Sequence, residues 1–148
     1  MKLQESGENY LENIYILQKR IGNVHSVDLA REMDFSKPSV SRAIHLLEDH
    51  HYLTIEEDGT LHLTESGLEV AKKIYERHVF LSEYLMAIGV PEDIAVEDAC
   101  RMEHVISETS FSLMKEHIFH CFHECPKARD DSFFNFNRQA LREIEAEI

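Results

Sequence analysis

The sequence predicts a mainly α-helical protein in two parts, with two short strands in the first part. Its 148 residues include only three prolines and five glycines, so little interrupts helix formation. Apolar residues recur mostly at helical spacing, and this changes to strict alternation within residues 53–63. Apolar residues make up 43% of the chain, enough for a core, and no run of them approaches the roughly 18 residues of a membrane span.

An amphipathic helix is predicted over residues 8–20. Leu11, Ile14 and Tyr15 fall on one face of that helix, at the spacing i, i+3 and i+4. Gly22 follows and marks its end, because glycine is favoured just beyond the last helical turn.

Two short helices separated by a tight turn come next. Ser26 is predicted to cap a helix over residues 27–33, with Val27 and Ala30 facing inward. Ser36 is a second N-cap, and Pro38 suits the first turn, where an amide hydrogen has no partner. The apolar face of this second helix is made by Val40, Ala43, Ile44 and Leu47. Such a pair of helices predicts a helix-turn-helix.

A two-stranded hairpin is predicted after these helices. Apolar and polar residues alternate over 53–55 and again over 61–63, and Asp58-Gly59 between them is a strong turn signal. Helix, helix-turn-helix and hairpin in this order predict an N-terminal winged helix-turn-helix domain, which we assign to residues 1–65.

The rest of the chain, residues 66–148, is predicted to form a second, all-helical domain. Ser66 and Glu69 have the spacing of a capping box, which opens a long helix that ends near Ala87. Gly89 interrupts the helical pattern soon afterwards.

Three further helices are predicted in this domain. One starts at Pro91 with acidic residues in its first turn. Ser107 is expected to cap the next one, which Pro126 stops, and a short helix over residues 137–148 completes the chain.

The charge distribution bears on nucleic-acid binding. The chain has 28 acidic and 15 basic residues, a formal net charge of −13, which argues against strong non-specific affinity for DNA. Residues 36–47, however, include Lys37 and Arg42 and no acid. The start of a recognition helix meets the major groove and the phosphates of double-stranded DNA. The residues expected to do so here are Ser36, Lys37, Pro38, Ser39, Ser41 and Arg42.

A group of potential metal ligands lies in the second domain. Cys100, Glu103 and His104 have the spacing i, i+3 and i+4, so one helix face offers a thiol, a carboxylate and an imidazole. His78, in the middle of the preceding long helix, is a further ligand if that helix folds back beside them. Spacing alone supports two interpretations equally. In one, these residues form a metal site; in the other, Cys100 is an ordinary core thiol and Glu103 and His104 are a solvated pair.

Several segments resemble the diphtheria toxin repressor and manganese transport regulator family. Residues 97–107, which contain the Cys-Arg-Met-Glu-His run, look like its signature, and residues 8–15 match its opening helix. Residues 63–67 and Arg77-His78 match the stretch that links the wing to the dimerisation helices. The resemblance covers residues 5–128 and its motifs are specific.

The resemblance implies a cytoplasmic homodimer that binds Mn(II) or Fe(II) and then represses metal-uptake genes by binding operator DNA. The helical domain would then be the dimerisation and metal-binding domain, in a two-domain form without the SH3-like domain of longer members. A cytoplasmic location also agrees with only three cysteines and no apolar signal-peptide stretch at the N-terminus.

Carried over residue by residue, the resemblance implies a primary metal site between the first helix and the second domain. Its ligands would be Asn9, Glu12, His78, Cys100, Glu103 and His104. Asn9 stands where manganese-type members have an acid and iron-type members a methionine. Glu12 matches the manganese type, whereas Cys100 matches the iron type. A thiolate favours Fe(II), Zn(II), Co(II) or Ni(II) over Mn(II), so we expect Fe(II) or Mn(II), with iron preferred.

A second metal site is a weaker expectation. The family often uses an acid shortly after the equivalent of His78 and a Cys-Pro-His segment, and here Lys127 replaces that histidine. His117, His120 and Cys121 have the spacing i, i+3 and i+4, which would suit a different metal site. His123 would also lie close to that site. The residues considered for a second site are Glu83, His120, Cys121 and Cys125.

A thiol- or zinc-responsive winged-helix regulator is the alternative function. Cys121 and Cys125 lie one helical turn apart, although helical geometry places such pairs badly for a disulfide. A metal sensor should lose its metal response when Cys100 is replaced by serine, whereas a switch built on the other two cysteines should not.

An enzyme is not predicted. A di-metal helical bundle needs two Glu-x-x-His pairs on separate helices, and the one clear pair, Glu48 with His51, ends the second helix of the helix-turn-helix. The sequence contains no His-Glu-x-x-His motif, phosphate loop or nucleophile elbow.

Overall fold

The computed structural model describes residues 4–124, with side chains described as far as residue 118. The described chain is mainly α-helical with one antiparallel hairpin, as predicted. Its elements are α1 (Glu5–Ile21), α2 (Ser26–Glu32), α3 (Lys37–Asp49), β1 (Leu53–Ile55), β2 (Leu61–Leu63), α4 (Glu65–Ala87), α5 (Glu92–Met102) and α6 (Glu108–Glu124). The predicted stop at Pro126 and the helix over residues 137–148 lie outside the described residues.

Two compact units divide the chain within α4, between Tyr75 and Glu76. The apolar core of the first unit is formed by α1, α2, α3, the hairpin and the start of α4. The core of the second unit combines residues of the remainder of α4 with residues of α5 and α6. Each core follows from the apolar stripe that the sequence places on its helices.

Leu61 joins the hairpin to α1 within the first unit. Its N–H donates to the Val24 carbonyl at 2.8 Å, and its own carbonyl accepts from Gln18 Nε2 at 3.1 Å. The strands pair with Leu53 opposite Leu63. Because both main-chain groups of a fully buried residue are bonded, the wing is held in one position against the helices.

The start of α2 differs from the prediction. His25 is the N-cap, and its N–H donates to Asp28 Oδ2 at 2.9 Å, while Ser26 is already the first helical residue. Ala30 is buried as predicted, but Leu29 is fully buried and Val27 is exposed, so the predicted inward position of Val27 is wrong. Residues two positions apart lie on nearly opposite faces of a helix, and burial of the larger leucine therefore leaves Val27 in solvent.

The start of α4 also differs, because Thr64 rather than Ser66 caps it. Thr64 Oγ1 accepts from the Gly67 N–H at 3.2 Å and donates to the His51 carbonyl at 2.7 Å. Gly67 then passes so close to β1 that a Cβ atom there would lie 1.8 Å from the Tyr52 carbonyl oxygen. The first turn of α4 therefore fits against the wing only with glycine at this position.

The predicted caps of α3 and α6 are confirmed. Ser36 Oγ accepts from the Ser39 N–H at 3.4 Å, and Ser107 Oγ accepts from the Ser110 N–H at 3.1 Å. Both serines precede a helix whose first turn needs an acceptor.

We expect Gly67→Ala to destabilise the first unit by at least ~2 kcal/mol, because the added methyl group meets main-chain atoms that have no free rotation. Thr64→Ala should cost about 1 kcal/mol through loss of the cap. Urea unfolding of the full chain measures both. Ser66→Ala is the control, an exposed change in the same turn that should stay within about 0.5 kcal/mol. A larger loss for Ser66→Ala than for Thr64→Ala would contradict the assigned cap.

Candidate metal centre and nucleic-acid interface

Three of the predicted ligands meet in the second unit. His78 lies on α4, Cys100 on the last turn of α5, and Glu103 is the C-cap of α5. One possible ligand atom from each residue lies within 4.8 Å of those of the other two. Since metal–ligand bonds to nitrogen, oxygen and sulfur are about 2.0–2.3 Å long, this spacing fits ligands around a single ion.

Glu103 is the buried member of the group and is 0% exposed. His78 Nδ1 lies 2.7 Å from its Oε2, and His104 Nε2 lies 3.2 Å from its Oε1. Burial acts to raise the pKa of Glu103, but the contacts and charges of His104 and His78 outweigh it and lower the pKa below its usual range. The buried carboxylate is therefore ionised at neutral pH.

The donor set fits a transition metal. Glu103 Oε1 is buried and makes no well-directed hydrogen bond within residues 4–124, so a lone pair remains for a cation. Imidazole, thiolate and carboxylate together suit a first-row ion better than Mg²⁺ or Ca²⁺, which bind oxygen ligands. Exposure rises from Glu103 through the half-buried His78 to the exposed Cys100, so the cluster is open to solvent on the thiol side.

The structure changes one detail of the predicted ligand face. The helix α5 ends at Met102, so Glu103 and His104 begin the turn that connects α5 to α6. Glu103 keeps helical dihedral angles (φ −58°, ψ −32°), which preserves its position one turn after Cys100. His104 lies beyond the helix and reaches the cluster through its contact with Glu103.

Asn9 and Glu12 lie one turn apart on α1, in the first unit. Glu12 is buried, and the half-buried Asn9 accepts a hydrogen bond on Oδ1 from Asn13 Nδ2 at 2.8 Å. Their role as ligands stays a prediction that rests on the family resemblance.

The second metal site also stays a prediction. Glu83 is half-buried on α4, and His117 is exposed on α6. The side chains of His120 and Cys121 lie outside the described part of the chain, and so does the whole of Cys125.

Sequence reasoning noted Arg77 only as part of the family match and missed its contacts with the residues around Glu103. The Arg77 side chain is buried, and its Nη1 donates to the carbonyl oxygens of Glu103 and Ile106, both at 3.0 Å. The only sign of this role in the sequence is that Arg77 directly precedes the predicted ligand His78. Residue spacing does not reveal a hydrogen bond to the main chain of a distant residue.

The residues predicted to contact DNA lie at the start of α3. All are exposed except Ser39, which is half-buried, while Val40, Ile44 and Leu47 are buried on the opposite face. The exposed face therefore carries two cations, Lys37 and Arg42, in an orientation open to a nucleic acid. Such a face suits phosphate and base-edge contacts.

The tip of the wing has the opposite charge. Glu56, Glu57 and Asp58 are all exposed there. Hydrogen bonds from Thr60, including one from its N–H to Asp58 Oδ1 at 2.9 Å, lower the pKa of Asp58 and keep it ionised. Three carboxylates repel phosphates, so the wing tip suits a nucleic-acid backbone less well than the exposed face of α3 does.

A winged helix-turn-helix and a helical unit with a His–Cys–Glu cluster define the class of metal-responsive DNA-binding regulators. Two family models match the chain in the same order. Residues 2–61 match the N-terminal DNA binding domain of the iron dependent repressors, and residues 64–131 match their metal binding and dimerisation domain. The chain belongs to the iron-dependent repressor family, which confirms the resemblance found in its motifs.

Relatives and solved structures agree with this assignment. An uncharacterized HTH-type transcriptional regulator of Methanocaldococcus jannaschii is 32% identical over 118 residues, covering 76% of this chain and 92% of the relative. The regulator MntR of Bacillus subtilis is 32% identical over 105 residues, covering 71% and 74%.

Two solved structures share the fold. The IdeR structure from T. acidophilum has 26% identity and a TM-score of 0.67, covering 80% of this chain and 55% of that chain. The manganese regulator SloR has 24% identity and a TM-score of 0.69, covering 81% and 55%. The chain thus spans about half the length of these two proteins. Within residues 4–124, no helix is long and apolar enough to cross a membrane.

We expect Glu103→Gln to lower the stability of the metal-free protein at pH 7, because glutamine carries no charge to attract the two histidines. A carboxyl whose folded pKa is depressed stabilises the fold above its unfolded pKa, near 4.5, and stops doing so as the pH falls through the folded pKa. The difference in unfolding free energy between wild type and variant should therefore shrink below about pH 4.5. Chemical unfolding in chelator across pH 3–7 measures it.

Glu97→Gln is the matched control. Glu97 is exposed and pairs with Arg101 on the same helix, so its replacement should change stability little at any pH. If the difference in unfolding free energy between wild type and Glu103→Gln stays constant with pH, the lowered pKa of Glu103 is contradicted.

Proposed function

We propose that this protein is a metal-activated transcriptional repressor that binds double-stranded operator DNA as a homodimer in the cytoplasm. The observation that carries the proposal is the His78–Cys100–Glu103 cluster, a transition-metal donor set in a chain that also has an exposed, cationic recognition helix. The family models and the MntR relatives support the same combination.

His78, Cys100, Glu103 and His104 would hold the metal, with Asn9 and Glu12 of α1 completing the set. A bound divalent ion supplies charge compensation and directed bonds for these donors. The thiolate of Cys100 favours Fe(II), and Mn(II) is the second expected ion. Zn(II), Co(II) and Ni(II) also suit the donors.

Ligands on α1 make the occupancy of the site depend on the DNA-reading unit. Leu11 and Ile14 of the same helix belong to the core of that unit, so α1 moves with α3 and the wing. If metal and DNA favour the same arrangement, the two binding events strengthen each other reciprocally. A coupling of about 1–3 kcal/mol would change DNA affinity by roughly 5- to 150-fold.

A homodimer matches the way helix-turn-helix proteins read DNA, since two half-sites require a two-fold axis. The second unit has large apolar side chains exposed in the single chain, as a dimerisation surface requires. They include Ile88, Ile94, Val96, Val105 and Leu113.

Retention of fragmented genomic DNA tests the function. We expect protein loaded anaerobically with Fe(II) or Mn(II) to retain specific fragments, and protein in chelator to retain few. Cys100→Ser should lose much of the response to metal, because the variant removes the thiolate ligand. Glu97→Gln on the same helix should respond normally, since its carboxylate is exposed and paired with Arg101.

Equal retention with metal and with chelator would overturn metal activation. A Cys100→Ser variant with full metal response, combined with sensitivity to peroxide, would instead favour the thiol-responsive alternative built on Cys121 and Cys125.

The recognition helix gives a separate prediction. Arg42→Ala in metal-loaded protein should cost about 1–3 kcal/mol and relax specificity at one base pair, because arginine reads guanine with two hydrogen bonds. Lys37→Ala should weaken binding to all sequences and reduce the salt slope by about 1. Fluorescence anisotropy over a series of salt concentrations measures both.

Lys73→Ala is the control, because it removes the same charge from an exposed position on α4. An equal effect of all three substitutions would mean that net charge, rather than contact by α3, determines the affinity.

A further inference from the structure

We propose that Arg77 is a positioning residue for the metal centre, and that it acts by fixing the main chain of the ligand turn. The ligand turn is defined here as residues 103–106, which begins with Glu103 and His104. This inference rests on the proposed function, since it assigns a role in metal binding to a residue that has no ligand atom of its own.

The ligand turn lacks regular helical support. The Val105 N–H, at 3.1 Å, and the Ile106 N–H, at 3.0 Å, both donate to the Met102 carbonyl, one as an i→i−3 bond and the other as an i→i−4 bond. Because two donors share one acceptor, the regular one-to-one helical pattern ends within the turn. The carbonyl groups at a helix end need other partners. Arg77 Nη1 is that partner at both ends of the turn, for Glu103 and for Ile106.

Neighbouring residues of α4 therefore hold two different parts of Glu103. Arg77 bonds its carbonyl oxygen at 3.0 Å, and His78 contacts its carboxylate at 2.7 Å. The position of the Glu103 main chain determines where its side chain begins. The bond from Arg77 to the Glu103 carbonyl therefore helps to place the carboxylate within reach of His78. A side chain with one terminal nitrogen at another position does not reproduce this bridge.

Arg77 is itself held in place from the other side. Its Nη2 pairs with Glu108 Oε2 at 3.0 Å, in the first turn of α6, and its guanidinium lies 5.6 Å from the centroid of the Phe111 ring. Its side chain is only 8% exposed, whereas that of Glu108 is 60% exposed. A buried guanidinium needs hydrogen bonds on its nitrogens, and the ligand turn supplies two of them.

Groups that orient metal ligands without touching the metal commonly change affinity 10- to 100-fold when they are replaced. We expect an effect of this size for Arg77→Lys, which keeps the charge near Glu108 but loses Nη1, the atom that donates to both carbonyls. The effect should appear in the metal site itself, and not only in the stability of the fold.

The test is titration of the full chain with Co(II) under reducing, anaerobic conditions, followed by the absorption of thiolate-bound cobalt. For Arg77→Lys we expect a dissociation constant about 10- to 100-fold higher than for wild type, and an altered band position or intensity. Arg77→Gln, as a second variant, should show the same changes.

Two control variants separate positioning from stability. Glu108→Gln removes the counter-ion but leaves both bonds to the ligand turn, and Leu81→Ala weakens the same core away from that turn. Both should keep the wild-type spectrum, with affinity within about two-fold, well below the change expected for a lost ligand-orienting group. A similar loss in Leu81→Ala would assign the effect to stability and overturn the proposal.

The remaining outcomes are also decisive. Wild-type affinity and spectrum in Arg77→Lys would overturn the inference while leaving the proposed function intact. Absence of any Co(II) spectrum in the wild-type protein would overturn the proposed function itself. If an Arg77 variant unfolds in chelator, its absorption spectrum at saturating Co(II) is the test of the inference. A wild-type spectrum would contradict the positioning role of Arg77, and an altered spectrum would support it.

Discussion

A carboxylate that is removed from water must be compensated, and the second unit is organised around this requirement at Glu103. Its two oxygens face imidazoles from α4 and from the turn after α5, and its carbonyl oxygen accepts from a buried guanidinium. Because desolvation acts against the charge and the contacts with His104 and His78 outweigh it, the ionised form of Glu103 depends on both imidazoles. The electrostatics that maintain the charge also prepare a site for a cation.

The first unit depends on main-chain contacts rather than on a buried charge. Leu61 is bonded to Gln18 of α1 through its carbonyl and to Val24, in the segment after α1, through its N–H. Glu48 Oε1 accepts from the Ile55 N–H at 3.2 Å, which joins α3 to β1. Gly67 brings the first turn of α4 against the Tyr52 carbonyl. These contacts leave little freedom between the recognition helix and the wing, so the unit can present α3 to DNA in a fixed orientation.

The sequence predicted those features that depend on periodicity or on a local turn. The apolar spacing of α1 and α3, the alternation in the hairpin and the caps Ser36 and Ser107 are all present. The errors at His25 and Thr64 have a common cause. Several polar residues precede each helix, and the choice among them depends on where the preceding chain enters, which spacing does not encode.

The candidate site was predictable to the extent that its ligands follow a local pattern. Cys100 and Glu103 lie one turn apart, and the spacing of an ordinary helix brings them together even though α5 ends at Met102. Arg77 was not predictable in this way. Its partners are main-chain carbonyls more than 25 residues away, and carbonyl groups carry no sequence signature.

Charge and geometry make different contributions to the proposed switch. A divalent ion changes a net charge of −13 by only two, so neutralisation alone is a small part of the change needed to bind a polyanion. The acidic wing tip limits non-specific attraction further, and Lys37 and Arg42 supply only local attraction on α3. Because the affinity for DNA without metal is low, a small change in how the recognition helix is presented is enough to regulate binding. A coupling of about 1–3 kcal/mol is then enough to separate bound from unbound operator, provided that the ligands hold one geometry.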